Sequence, residues 1–324
     1  MNNCRICNSP KFDEVLEVKE MMFGTGKTYK YYKCFGCGVL QIEEPILDPE
    51  LLYPQSYYSF SSSINSLKNK VKKTILKNNV ARELDLPAIL PKITKAPETK
   101  GVRSLKDYIN KNTSILDIGS GSGELLEALY SLGYKNIEGV DPFISKDLQF
   151  KGWKIKKGYV TELDESTKYD VIILHHSFEH MADPKEVLQK IKSLLSVNGK
   201  CIISIPVCDS YAYEFYKNNW VQLDAPRHVF LHTNKSMNLL AKGTGLKIEK
   251  ITDDSRTFQF IGSEQYKRGI SLTAVDSFYK PFYKKILRKN IFSKKQVKNF
   301  LKKAEELNQS GQGDQRVFVL KSNS

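Results

Sequence analysis

From residue 106 to the C-terminus, short apolar runs alternate with segments of helical periodicity. Residues 184–195, for example, place apolar side chains at intervals of three and four, as an amphipathic helix requires. Strands that alternate with helices favour a parallel sheet covered by helices on both faces. The strands are predicted at 114–118, 136–140, 153–158, 171–174, 201–206, 247–251 and 316–321.

The pattern differs before residue 106. A basic helical piece at 64–80 is followed by Pro87, Pro91 and Pro97, which interrupt any regular element. This stretch therefore reads as a linker between an N-terminal module and the alternating region. The predicted division is a module at 1–60, a linker at 61–105 and a domain at 106–324, with a basic helical insertion at 256–313 before the last strand.

Length and composition are those of a globular protein with about two domains. The 324 residues are 40% apolar and 27% charged, which is enough chain to bury a core without disulfides. The first residues, MNNCRICNSP, lack the features of a signal peptide, and the apolar runs are too short to cross a bilayer. We therefore expect a cytoplasmic protein.

Positive charge is concentrated in two segments. The net charge is +14, and residues 68–77 and 280–303 together carry fifteen Lys or Arg and no acid, so the rest of the chain sums to 14 − 15 = −1. The charge distribution therefore does not indicate a nucleic-acid-binding surface that extends over the whole protein.

The second basic segment continues into a predicted amphipathic helix at 294–307. Its cationic face is expected either to touch an anionic surface, such as the inner face of a membrane or a large anionic acceptor, or to be a solvated Lys-rich face. Its apolar stripe consists of Val297, Phe300, Leu301, Ala304 and Leu307.

Four of the six cysteines form two C-x-x-C pairs separated by 26 residues. Two such pairs suit one tetrahedral zinc ion, because each knuckle presents two sulfurs, and a reducing compartment disfavours disulfides. Four thiolates leave no open position, so the zinc is expected to be structural. The predicted ligands are Cys4, Cys7, Cys34 and Cys37, whereas Cys201 is expected in the core.

Between these pairs, GTGKT (24–28) has part of a phosphate-loop pattern. The full pattern requires a glycine five residues before Gly26, where this chain has Met21. A hairpin turn is therefore expected.

A glycine-rich turn follows the first strand of the alternating region. Gly119, Gly121 and Gly123 precede a helix, whose N-terminus offers free N–H donors, and Asp141 ends the next strand. A carboxylate there can accept hydrogen bonds from both ribose hydroxyls. The arrangement predicts an adenosine-containing cofactor, but it does not separate NAD from S-adenosylmethionine.

The runs ILDIGSGSG, GVDP (139–142) and YDVIILHHSFEHMADP (169–184) resemble class I S-adenosylmethionine-dependent methyltransferases. The resemblance covers about 106–324 and implies a doubly wound, Rossmann-like sheet of seven strands with an antiparallel last strand. It adds Asp117 to the predicted cofactor residues. An acidic adenine contact of many relatives is missing, which leaves the backbone near Tyr159 for that contact.

All five histidines lie between 175 and 232. His175 and His176 follow the fourth strand at the edge where such sheets bind ligands, and we assign them to the cofactor site. His228 is the preferred proton acceptor and His180 the second, although an E-H pair also serves as a structural element in this fold.

The stretch 211–228 is rich in aromatic residues and is expected to form a lid that partly lines the acceptor pocket. Within it, Trp220 is predicted to contact the acceptor, and Arg227 to bind a phosphate of a nucleotide-linked sugar.

The cysteine module, DAPRHVFLHT and QFIGSEQYKRGISL (259–272) together resemble a bacterial subgroup associated with surface-glycan biosynthesis. The resemblance implies methyl transfer to a hydroxyl of a nucleotide-linked sugar or glycan. The alternatives are an RNA-base methyltransferase that binds RNA through the cysteine module and the basic segments, and a non-catalytic interaction protein.

Overall fold

The computed structural model describes residues 3–46, 52, 67–88, 102–279 and 291–323. Its main feature is an eight-stranded sheet in the order β11-β12-β9-β8-β4-β5-β7-β6. Strands β4, β5, β7, β8 and β9 pair in parallel, and β12 lies antiparallel between β9 and β11. The predicted seven-stranded α/β sheet is thereby confirmed, with one additional antiparallel edge strand, β6.

The twelve strands of the described part of the chain run as follows: β1 Phe12–Lys19, β2 Thr28–Cys34, β3 Leu40–Ile42, β4 Ile115–Ile118, β5 Ile137–Asp141, β6 Leu148–Phe150, β7 Trp153–Lys157, β8 Tyr169–His175, β9 Leu195–Pro206, β10 Phe230–Leu231, β11 Leu246–Asp253 and β12 Gln315–Ser322. The α-helices there are α1 Leu67–Glu83, α2 Glu124–Ser131, α3 Pro184–Leu194, α4 Tyr211–Tyr216, α5 Asn234–Gly243, α6 Phe258–Lys267 and α7 Lys294–Gln309.

Helices cover both faces of the large sheet because its central strands are apolar on both sides. In β8, Ile172 and Leu174 pack with α3 and α5, whereas Val171 and Ile173 face α1 and α2. Helix α3 begins where the Asp183 side chain accepts a hydrogen bond from the amide of Glu186. Because the central strands are parallel, their carboxyl ends lie together at one edge of the sheet.

A second, four-stranded sheet joins the N-terminal residues to the large domain. Its order is β1-β2-β3-β10, so a strand from the middle of the chain completes the N-terminal sheet. Strands β1 and β2 form a hairpin, and GTGKT lies at its turn, as predicted. The cysteine module therefore shares a sheet with the large domain.

Helix α1 packs against the core of the large domain. Val80 and Leu84 are buried with side chains of α2 and β4. The segment predicted as a linker thus contributes to the core, and its parts at 61–66 and 89–101 lie outside the described residues.

In α7, Ala304 and Leu307 face inward as predicted, but Leu301 is 46% exposed, which corrects that part of the apolar stripe. Residues 280–290 of the basic insertion lie outside the described residues. None of the helices in the described ranges is long and apolar enough to cross a membrane.

Candidate functional site

The glycine turn connects β4 to α2 at the carboxyl edge of the large sheet. Gly119 has a φ of 77°, and a β-carbon there would lie 2.5 Å from the β-carbon of Ser177. Gly123 has a φ of 78° and immediately precedes α2. Only glycine fits these positions without strain, so the backbone can pass close to a ligand at the N-terminus of α2.

Asp141 lies beside this turn at the end of β5. Its carboxylate accepts hydrogen bonds from the amide of Gly121 at 2.8 Å and from the amide of Phe143 at 2.8 Å. Burial raises its pKa, against the opposing effect of these two bonds. The carboxylate therefore braces the turn and retains lone pairs for the predicted ribose contact.

Asp117 is buried inside β4, just before the glycine turn. Burial, together with the nearby charge of Asp141, raises its pKa from 3.8 to about 7. Asp117 therefore lies directly before the glycine turn, and its contact with a cofactor stays a prediction.

The other predicted cofactor residues lie along the same edge. Tyr159 follows β7 and is exposed, and the amide of the preceding Gly158 donates to the carbonyl of Asp141. His175 ends β8, and together with His176 it lines a small cleft that Arg316 also contacts. The structure brings these residues to one edge, and their contacts with a cofactor remain a prediction.

Two imidazoles and one carboxylate form a cluster after β8. The ligand atoms of Glu179, His180 and His228 lie within 4.8 Å of one another. Glu179 is fully buried, and its Oε1 lies 3.9 Å from Nε2 of His228. We call these three residues the imidazole cluster.

Backbone carbonyls orient both imidazoles. Nδ1 of His180 lies 2.9 Å from the carbonyl oxygen of Arg227, and Nδ1 of His228 lies 2.7 Å from that of Gln222. A carbonyl only accepts, so each Nδ1 is the donor and each Nε2 keeps a lone pair in the neutral ring. Burial lowers the pKa of His180, which keeps this imidazole neutral at pH 7.

Asp224 supplies a second carboxylate next to His228. Its Oδ2 lies 3.8 Å from Nε2 of that histidine. Burial opposes its ionisation, but Arg227 outweighs this effect and lowers the pKa of Asp224. Nε2 of His228 therefore lies within 3.9 Å of two carboxylates, those of Glu179 and Asp224.

Arg227 occupies a different environment from the one predicted. Its guanidinium is 1% exposed and bonds Asp224 at 2.6 Å and Glu20 at 3.1 Å. This placement corrects the expectation that Arg227 faces an acceptor phosphate, because its charge is already compensated by two carboxylates inside the protein.

Trp220 is also buried, and its Nε1 donates to Oδ2 of Asp314 at 3.0 Å. Tyr213 packs edge-on against it. The predicted contact of Trp220 with an acceptor is corrected in the same way, since Trp220 and Tyr213 pack in the core.

The four N-terminal cysteines meet in one place. The Sγ atoms of Cys4 and Cys37 are 3.7 Å apart, and those of Cys7 and Cys34 are 3.4 Å apart. All four Sγ atoms lie within 4.8 Å of one another. Sulfurs bound to tetrahedral zinc at about 2.3 Å are separated by roughly 3.8 Å, so this thiolate cluster fits a zinc ion.

Sequence reasoning missed three residues: Glu179, which is a member of the imidazole cluster, and Glu20 and Tyr31, which contact the residues around it. Glu179 belongs to the E-H pair and could have been identified with it. Glu20 and Tyr31, in contrast, are about 200 residues from His228 along the chain. No local pattern marks them, because only the pairing of β3 with β10 brings them close.

One protein family matches this chain in a comparison of sequences. Residues 91–251 match the family described as a methyltransferase domain. This range contains the glycine turn, Asp141 and the imidazole cluster.

Two curated relatives match part of the chain. An uncharacterized methyltransferase of Schizosaccharomyces pombe is 24% identical over 48% of this chain and 61% of its own length. A tRNA U34 carboxymethyltransferase of Campylobacter hominis is 29% identical over 32% of this chain and 40% of its own. The chain thus spans less than two thirds of either relative.

Among solved structures, a SAM-dependent methyltransferase from Archaeoglobus fulgidus aligns with a TM-score of 0.42 and 17% identity. The alignment covers 68% of this chain and 91% of that protein.

Proposed function

We propose that the protein, whose residues 91–251 match the methyltransferase domain family, transfers a methyl group from S-adenosylmethionine to a hydroxyl of a nucleotide-linked sugar or surface glycan. The observation that supports this proposal is the placement of the imidazole cluster at the same sheet edge as the glycine turn. A neutral imidazole suits removal of a proton from a hydroxyl.

S-adenosylmethionine supplies an electrophilic methyl group on a sulfonium. The glycine turn and the N-terminus of α2 would hold this cofactor, and Asp141 would orient its ribose. Nε2 of His228 would accept the proton of the acceptor hydroxyl, and the carboxylates of Glu179 and Asp224 lie 3.9 Å and 3.8 Å from that nitrogen.

The thiolate cluster would hold one structural zinc ion. Four sulfur ligands fill its coordination sphere and leave no position for a substrate. We therefore assign no step of the reaction to this metal.

Transfer to RNA is the alternative. It is favoured by the partial similarity to a tRNA-modifying enzyme and by the cationic face of α7. The two functions are separated by incubating the protein with isotope-labelled S-adenosylmethionine and either nucleotide-linked sugars or unmodified tRNA. Label in the sugar supports the proposal, and label in RNA alone would overturn it.

His228→Ala tests the proton acceptor. We expect turnover on the labelled acceptor to fall by roughly 10²- to 10⁴-fold, with the affinity for S-adenosylmethionine unchanged. His232→Ala is the matched control, because His232 is fully buried with a pKa lowered to about 3 by burial. That change should reduce stability instead. Near-normal turnover by a folded His228→Ala protein would exclude this role and direct the same test to His180.

A further inference from the structure

The loop at 224–233 carries His228 and includes the short strand β10, through which it joins the N-terminal sheet. The hydroxyl of Tyr31, on β2, donates to the carbonyl oxygen of His228 at 2.7 Å. The amide of Ile42 donates to the carbonyl of Val229 at 3.1 Å. Both Tyr31 and the loop are buried here, so these bonds restrain the backbone on either side of the imidazole.

A buried chain of charges connects the same sheet to the imidazole. Glu20, at the end of β1, bonds Arg227, which bonds Asp224, whose carboxylate faces Nε2 of His228. Burial opposes ionisation of Glu20, but amides of the hairpin turn and Arg227 lower its pKa. Removing one member would leave a buried charge without its partner, which is far more costly than breaking a surface pair.

The far end of the loop contacts the thiolate cluster. The hydroxyl of Thr233 donates to the carbonyl oxygen of Cys37 at 2.7 Å. A β-carbon at Gly38 would lie 3.2 Å from Thr233. The cysteine knuckle and the loop are therefore in direct contact, which gives a route by which a change in the knuckle can reach the loop.

We propose that Glu20 and Tyr31 are positioning residues for His228, and that the metal bound by the thiolate cluster keeps the loop in its reactive geometry. The N-terminal module is then part of the apparatus that orients the proton acceptor. This inference rests on the proposed function at one point, the role of His228.

Tyr31→Phe and Glu20→Gln test the inference in the zinc-loaded, full-length protein. Tyr32→Phe is the matched control, because Tyr32 also lies on β2 but its hydroxyl donates to Glu43, just after β3, and not to residues 224–233. Amide hydrogen exchange across 226–233 and the ¹⁵N shifts of the His228 ring are measured, together with calorimetric binding of S-adenosylmethionine.

We expect Tyr31→Phe to speed exchange of the loop amides by roughly 5- to 10-fold, as loss of one neutral buried hydrogen bond implies. Glu20→Gln should have a larger effect, and both should move the His228 ring signals. Tyr32→Phe should change neither, and cofactor affinity should stay within about twofold in all three. Chelation of the metal should speed exchange at the same amides.

Loop exchange and ring signals that are unchanged in both variants would overturn the positioning role. Loop exchange unaffected by chelation would overturn the role of the metal. If the wild-type protein fails to bind S-adenosylmethionine, the proposed function fails, and the exchange data still decide whether the module restrains the loop.

Discussion

Two buried carboxylates, Asp117 and Asp141, determine how the cofactor edge responds to mutation and to pH. Asp141 is held by amides of the glycine turn, so its position is set before any ligand arrives. Asp117 lies one strand away with a raised pKa. We therefore expect Asp141 to affect the affinity for S-adenosylmethionine, and Asp117 to affect the pH dependence of stability.

Asp141→Ala should weaken binding of S-adenosylmethionine by roughly 10- to 150-fold, because a charged hydrogen-bond partner is lost at a cost of about 1.5–3 kcal/mol. Isothermal titration calorimetry measures the change. Asp107→Ala is the control, because this exposed carboxylate pairs with Lys250 on the edge strand β11, and the variant should bind normally. Unchanged affinity in a folded Asp141→Ala protein would contradict the ribose contact.

Asp117→Asn should alter the pH dependence of stability without cofactor. The folded pKa of about 7 lies above the ordinary 3.8, so the contribution of this carboxyl group to stability is fully present below pH 3.8 and is lost as pH rises to about 7. The total loss is on the order of 4 kcal/mol at 1.36 kcal/mol per pKa unit. The Asn variant should lack it, so its relative stability should increase over this range in denaturant titrations.

Asp170→Asn is the control of opposite sign. Its carboxylate accepts a hydrogen bond from the amide of Ser114, which lowers its pKa. The carboxylate of Asp170 therefore stabilises the wild-type protein above its ordinary pKa, and this contribution is lost as pH falls through the lowered pKa. A pH-independent difference between wild type and Asp117→Asn would contradict the raised pKa.

Among the helices, α7 combines a short inward stripe with a cationic outer face. Ala304 and Leu307 pack inward, and Lys303 contacts the Tyr211 hydroxyl. The exposed Leu301 lies on a surface that also presents lysines. This surface is the part of the basic insertion that the described residues allow us to test.

Binding of α7 to anionic vesicles should weaken when Lys295, Lys298 and Lys302 are all changed to Gln. Each lysine near an anionic surface contributes about 1 kcal/mol, so three together predict roughly a 100-fold loss. Vesicle sedimentation at low and physiological salt measures it. The control changes three exposed lysines on or beside β7 to Gln: Lys151, Lys154 and Lys156. Equal binding of the wild type to neutral and anionic vesicles would contradict an electrostatic membrane contact.

For the chain as a whole, the N-terminal module and the large domain share a sheet. Strand β10 pairs with β3, and residues of both regions form one buried cluster that includes Trp220 and Cys37. The metal site is therefore expected to support more of the molecule than its own knuckles.

Metal analysis should find one zinc ion per chain. Cys34→Ser should lower the zinc content and the temperature of thermal unfolding, because metal binding and local folding are coupled. Cys201→Ala is the control: this thiol is buried in β9, in a different core cluster from the four cysteines, so zinc should be retained. A chain purified without chelator that contains no zinc would contradict the site.

The order of strands, the glycine turn and the cysteine pairs could be predicted from sequence because each depends on neighbouring residues. Periodicity reports which side chains face a core, and a turn such as that at Gly119 needs glycine for local steric reasons. The four cysteines are two local pairs, and zinc chemistry supplies the rule that joins them.

The surroundings of His228 could not be predicted in this way. Arg227 was expected to face a phosphate because sequence shows its charge but not its partners. Glu20 lies 207 residues away along the chain, and only the pairing of β3 with β10 places it within 3.1 Å of that guanidinium. Local sequence thus determined the elements and the cofactor edge, whereas tertiary structure decided which charges are compensated, because burial and long-range pairing have no local pattern.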